Sequence, residues 1–175
     1  STVKFMGALV KARCASGNHF LTDENAFVRM KEMRRVVQIG IVVRDIEKAS
    51  GLWAELLGMG VPTPVETETA DVTNMTYRGK LSPGRAKLAF FALEDISVEL
   101  IEPIDGPSTW KDFLDRHGEG IHHIAFNVED MGRSVEGLKG ICIGIEQKGD
   151  FTGGCYAYTD PSSKLGVILE LLAKR

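Results

Sequence analysis

No apolar run in this 175-residue chain approaches the ~18 residues needed to cross a bilayer as a helix, so a membrane protein is not expected. Cysteine is scarce. Cys14, Cys142 and Cys155 form an odd set with no C-x-x-C spacing, which argues against a disulfide scaffold or a zinc ribbon and fits a reducing, cytoplasmic setting. A basic excess is missing too: 21 Lys and Arg face 24 Asp and Glu, for a net charge of −3, so the chain lacks the footprint of a general nucleic-acid binder. Acids are absent from residues 1–22, which carry Lys4, Lys11 and Arg13. Transit peptides share that balance, but an ordinary N-terminal arm over residues 1–35 is the simpler reading, with a helix possible over 23–35. What remains is ordinary globular material, 43% hydrophobic and 26% charged, enough for a packed core.

The chain repeats itself. Gln38-Ile-Gly-Ile-Val-Val-Arg-Asp45 and His123-Ile-Ala-Phe-Asn-Val-Glu-Asp130 share Ile, Val and Asp at matching places. A helical pattern follows each. Ile46, Ala49, Leu52, Trp53, Leu56 and Leu57 precede Gly58; Met131, Val135 and Leu138 precede Gly140. Asp45 and Asp130 sit where a carboxylate caps the first helical turn. The repeats also end alike, in Val98-Glu-Leu-Ile101 and Leu169-Glu-Leu-Leu172. Strand-like patches lie between, at 73–78 and 86–93 in the first repeat and about 141–146 and 154–159 in the second. The order is strand–helix–strand–strand–strand, twice: residues 36–104, then a linker helix within 105–120 (Thr109 to His117), then 121–175.

Strand side chains alternate between faces, so parity sorts the residues. Val37, Ile39, Ile41 and Val43 make an apolar face, and Gln38 points the other way with Gly40 and Val42. By the same rule His122 lies with Ile124, Phe126 and Val128 and is assigned to packing, while His123 points oppositely with Ala125. Glu170 sits in the apolar run Gly166 to Leu172, and Glu99 matches it in the first repeat. A buried carboxylate needs a partner. If the repeats pair about a pseudo-twofold axis, Gln38, Glu99, His123 and Glu170 converge, an oxygen-rich set with one imidazole that suits a divalent metal.

These motifs, over about residues 36–173, resemble the vicinal oxygen chelate superfamily, which includes glyoxalase I, methylmalonyl-CoA epimerase, extradiol dioxygenases and the bleomycin- and fosfomycin-resistance proteins. The resemblance implies an α+β fold in which two βαβββ modules pair into an open, cup-shaped, eight-stranded mixed sheet around a metal site. It implies Gln38, Glu99, His123 and Glu170 as ligands of a divalent ion such as cobalt, zinc, nickel or manganese, and a homodimer. The stretch from Gly106-Pro-Ser108 through Phe113-Leu114 to His122-His123 looks most like the epimerases. Two features depart from them. Those enzymes commonly carry His where this chain has Gln38, and they use an extra Glu on the second strand, whereas no acid lies between Asp71 and Glu94. The ligand order Gln, Glu, His, Glu resembles eukaryotic glyoxalase I instead.

Both resemblances imply movement of a proton on a carbon next to a carbonyl, with a metal stabilising the enolate and Glu99 and Glu170 as acid and base. The expected activity is epimerisation of methylmalonyl-CoA or a related acyl-CoA. A lactoylglutathione lyase acting on a glutathione conjugate is the alternative, and a non-catalytic, resistance-type binder the alternative of another class. An iron dioxygenase fits less well, because Gln38 stands where a second histidine is usual. Arg78, Lys80, Arg85 and Lys87 flank the expected hairpin, either to meet a coenzyme A phosphate or simply as a solvated face.

Overall fold

The computed structural model describes residues 33–161 and 165–175. The expected helix over 23–35 and most of the N-terminal arm lie outside the described residues.

The first strand, β1 (Gln38–Val42), leads into helix α1 (Ile46–Leu57). Asp45 caps that helix by accepting from Lys48 N, and Glu102 Oε2 accepts from Ile46 N, so two carboxylates meet its positive end. Gly58 ends it in the left-handed region, φ 64°, which a side chain would resist. The inner face differs in detail from the expected one. Ile46, Ser50 and Ala54 are buried, while Leu52 and Leu56 are exposed. Small Ser50 and Ala54 let the helix lie close to the sheet, with Ala49, Trp53 and Leu57 packed beside them, so Leu52 and Leu56 fall outside the packing stripe.

Next come β2 (Val65–Glu66), a single-turn helix α2 (Ala70–Thr73), β3 (Thr76–Tyr77), β4 (Lys80–Leu81), β5 (Arg85–Ala92) and β6 (Ser97–Asp105). Helix α3 (Thr109–His117) is capped by Ser108 and occupies the expected linker. The second half supplies β7 (Gly120–Asn127), α4 (Met131–Gly140), β8 (Ile145–Phe151), β9 (Gly154–Thr159) and β10 (Ile168–Lys174). Asp130 caps α4 on Arg133 N, as Asp45 caps α1.

All strands join one curled, open mixed sheet in the order β2-β5-β6-β1-β7-β10-β9-β8-β3-β4. The seam is antiparallel, β1 with β7, and each seam strand pairs on its outer side in parallel with the last long strand of its own half, β6 or β10. The helices α1 and α4 cover one face, over Val43, Ala89, Phe91, Val98 and Leu100 on one side and Val128, Leu171 and Ala173 on the other. Full burial of a Val, Leu or Phe side chain here contributes about 1.5–3 kcal/mol, and of an Ala methyl roughly 0.8 kcal/mol. The opposite face carries Val42, Ile101, Ile168, Trp110, Leu114 and Tyr158.

Two expectations are corrected here. The sheet has ten strands among the described residues, not eight. The patch at 73–78 does not become a second strand beside its own neighbours: β3 pairs with β8 of the other half, and a two-residue strand, β2, takes the place beside β5. Short pieces carry too little periodicity to reveal such an exchange. Cys155 is a free thiol and Cys142 is disulfide-bonded. No helix among the described residues is long and apolar enough to cross a membrane.

Candidate metal centre

The four central strands put the four singled-out side chains on one face, in two adjacent rows. In one row, Gly40 of β1 stands between Glu99 of β6 and His123 of β7. In the next, Ala125 of β7 stands between Gln38 of β1 and Glu170 of β10. The rows are related by exchange of the halves: Gln38 corresponds to His123, Glu99 to Glu170, Gly40 to Ala125. A residue with little or no side chain sits at the middle of each row, and the polar groups lean over it. All four polar residues are buried, His123 completely.

Three of them meet. Glu170 Oε2 lies 3.0 Å and Glu99 Oε2 3.5 Å from His123 Nε2. One ligating atom from each falls within 4.8 Å of the others. Yet these same three atoms, buried from solvent, make no hydrogen bond of acceptable geometry. Buried polar atoms are normally satisfied, and three orphans pointing at one another are costly unless something sits among them. Two carboxylate oxygens and one imidazole nitrogen form a donor set that suits a divalent cation, and Gln38 is buried one row away, in register with Ala125. The residues present therefore fit a metal ion.

The electrostatics express the same crowding. Burial and then the charge of Glu170 push the Glu99 carboxyl up to about 8. Burial pulls the His123 imidazole down, but the nearby charges of Glu170 and Glu99 outweigh it and the net direction is up. His122 goes the other way, held well below the usual imidazole range by burial and by His123.

His122 is not where parity places it. A bulge interrupts β7, so that His123 pairs with Gly40 but Ile121 pairs with Ile41. The extra residue, His122, swings to the same side as His123, and their Nδ1 atoms lie 3.1 Å apart. Its Nε2 lies 3.1 Å from Thr109 Oγ1 at the start of α3. Parity cannot show this, because one inserted residue inverts the alternation.

An aromatic wall was also missed. Tyr158 pairs with Glu170 in register and its ring lies 5.0 Å from the His123 ring; Tyr156 and Trp110 continue the wall. The alternation of Tyr156 and Tyr158 in a strand was the available signal. Gln147 ties this wall to α3, accepting from Thr109 N and donating to the Tyr156 hydroxyl.

No acid on β2 joins the site. Glu66 pairs in register with Lys87, whose ammonium lies against Glu47 of α1, so both belong to the helix-covered face. Glu66 itself accepts from Arg85. Of the four cations flanking the hairpin, Arg78 pairs with Asp112 and Glu146, Arg85 with Glu66 and Asp105, and Lys87 with Glu47 and Glu102. That arrangement favours the solvated-face reading over a free phosphate-binding patch.

Comparison with known proteins places this geometry. Residues 37–158 match the family model described as the glyoxalase/bleomycin resistance protein/dioxygenase superfamily. The chain belongs to that superfamily. Among known proteins it is 27% identical over 142 residues to the Bacillus subtilis protein YqjC, covering 79% of this chain and 91% of that one. It is 24% identical over 134 residues to the mitochondrial methylmalonyl-CoA epimerase of Mus musculus, covering 74% and 67%. Among solved structures, the methylmalonyl-CoA epimerase of Mycobacterium tuberculosis superposes with a TM-score of 0.59 at 23% identity, over 81% of this chain and 88% of that one. At that identity the superposition establishes the shared fold of the superfamily.

Proposed function

We propose that this superfamily member is a metal-dependent isomerase that removes and returns a proton alpha to a carbonyl, with methylmalonyl-CoA or a related acyl-CoA as substrate. The observation that carries the reading is the convergence of Glu99 Oε2, His123 Nε2 and Glu170 Oε2 as orphaned buried atoms. The relatedness to methylmalonyl-CoA epimerases supplies the substrate class.

In this reading Gln38, Glu99, His123 and Glu170 hold the ion. When bound, a divalent cation acts as a Lewis acid toward the carbonyl oxygen on which enolate charge develops. The rest falls to the chain. Glu99 and Glu170 come from equivalent strands of the two halves and approach His123 from different sides. One carboxylate takes the alpha proton as the C–H electron pair shifts toward the carbonyl, and the other, as the acid, returns a proton to carbon. Burial of both keeps bulk water from competing. The Tyr156–Tyr158–Trp110 wall gives an apolar boundary for the acyl group.

A second reading, a lactoylglutathione lyase, is favoured by two observations: Gln38 in the first strand, and the absence of a β2 carboxylate from the site. Delivery of the proton to the adjacent carbon, rather than to the opposite face, separates the two chemistries. The test presents metal-loaded protein with single-enantiomer methylmalonyl-CoA in deuterium oxide and, separately, with methylglyoxal plus glutathione. Metal-dependent racemisation with deuterium uptake supports the epimerase. Lactoylglutathione formation without racemisation selects the lyase, and neither product sinks both, leaving a binding role.

A further inference from the structure

We propose that His122 is a positioning residue: through its Nδ1 it fixes the tautomer and ring orientation in which His123 Nε2 is free to take a metal. This rests on the metal reading above. The chain of contacts is Thr109 Oγ1 to His122 Nε2 at 3.1 Å, then His122 Nδ1 to His123 Nδ1 at 3.1 Å, with His123 Nε2 aimed at Glu99 and Glu170.

Proton bookkeeping along that chain has one solution. If His123 Nε2 offers a lone pair to a cation, its proton is on Nδ1, and that N–H must find an acceptor. The atom at hydrogen-bond distance is His122 Nδ1. His122 then carries its own proton on Nε2 and donates to Thr109 Oγ1. Thr109 is itself anchored, since its backbone N–H donates to Gln147 Oε1. Metal-bound histidines normally lean on a carboxylate, carbonyl or water; here a second imidazole has that role.

The bulge in β7 gives the arrangement its structural basis. Without the extra residue, alternation would turn His122 to the helix-covered face and leave His123 Nδ1 with no neighbour from its own strand. The ring is also packed edge-on against Phe113 and Tyr158, so it has little freedom to turn away. The linker helix α3, which begins at Thr109, is thereby coupled to the metal site.

The test separates packing from hydrogen bonding. His122→Phe keeps an aromatic ring and removes both nitrogens. His122→Asn loses the ring but returns an acceptor near the position of Nδ1. Affinity for Zn2+ is measured by competition with a chromophoric chelator, with thermal melting of each variant as the folding control. The expected result is a loss of about 10- to 100-fold in His122→Phe, recovered to within about threefold of wild type in His122→Asn, and an intermediate loss in Thr109→Val. Equal affinity in wild type and a folded His122→Phe overturns the proposal.

A second readout needs no metal. Long-range 1H–15N correlation spectra of histidine-labelled, metal-free protein report each tautomer. His122 protonated on Nε2 alone, with His123 protonated on Nδ1, is the expected pattern; His122 protonated on Nδ1 overturns the proposal. If wild type binds no metal, the metal reading fails, and the spectra still decide the relay.

Discussion

The His123 ring fills the space that a side chain at Gly40 would take. The two residues face each other in register across the seam, and a Cβ built on Gly40 would overlap the His123 atoms Cε1, Nδ1 and Nε2. The backbone of Gly40 is not in the left-handed region, so conformational freedom is not what glycine supplies here. It supplies room. The imidazole reaches its place between the two carboxylates only because the strand beneath it has no side chain.

Gly40→Ala is therefore expected to push the His123 ring off the site. Overpacking of this kind costs about 1–3 kcal/mol. Melting should report that loss, and Zn2+ affinity should fall by about tenfold or more, equivalent to ~1.4 kcal/mol. Full affinity in Gly40→Ala would contradict the placement of the ring.

The metal-free protein should lose stability as pH rises. Glu99 keeps its proton to about pH 8 when folded, against an ordinary value of 4.5, so between those values the folded chain binds more protons than the unfolded one. Unfolding free energy then falls with increasing pH across that window. His123, also raised, acts in the same direction, since the stability of its charged form is lost as pH climbs through its folded value. Melting of wild type and Glu99→Gln between pH 5 and 8 checks this. The wild type should fall relative to Glu99→Gln by at least several degrees, and parallel curves would count against it.

Replacing either carboxylate should separate stability from activity. In metal-free Glu99→Gln or Glu170→Gln, one of two crowded buried charges is gone, and the fold should be as stable as wild type or more so at pH 8. Proton exchange on methylmalonyl-CoA should drop by about 100-fold or more, the scale of losing a general acid or base. Retained exchange in either variant would remove that residue from the proposed chemistry.

Much of this centre was legible in the residues, for identifiable reasons. The repeat located both helices and their Asp caps, because Asp45 and Asp130 sit at matching junctions where a period of two gives way to one of 3.6. Parity put Gln38 and His123 on the face away from α1 and α4, and the repeat matched Glu99 with Glu170 as carboxylates in apolar strands, which β6 and β10 bring to that same face. Parity failed at His122, where the bulge inserts one residue and inverts the rule. The repeat misled at residues 73–78, because which half a two-residue strand joins depends on partners distant in sequence. The inner stripe of α1 was misjudged at Leu52 and Leu56 for a packing reason: proximity to the sheet selects small residues, and hydrophobicity alone ranks the large ones first.

The central claim is that Glu99, His123 and Glu170, with Gln38, hold one divalent cation, and a cobalt titration of chelator-stripped protein tests it most directly. Visible absorption reports coordination, and elemental analysis of the dialysed protein reports stoichiometry. The account predicts one equivalent per chain, lost in His123→Ala and Glu170→Ala and weakened about tenfold in Gln38→Ala, equivalent to ~1.4 kcal/mol. Absence of saturable cobalt binding in wild type, or binding unchanged in His123→Ala, would contradict it.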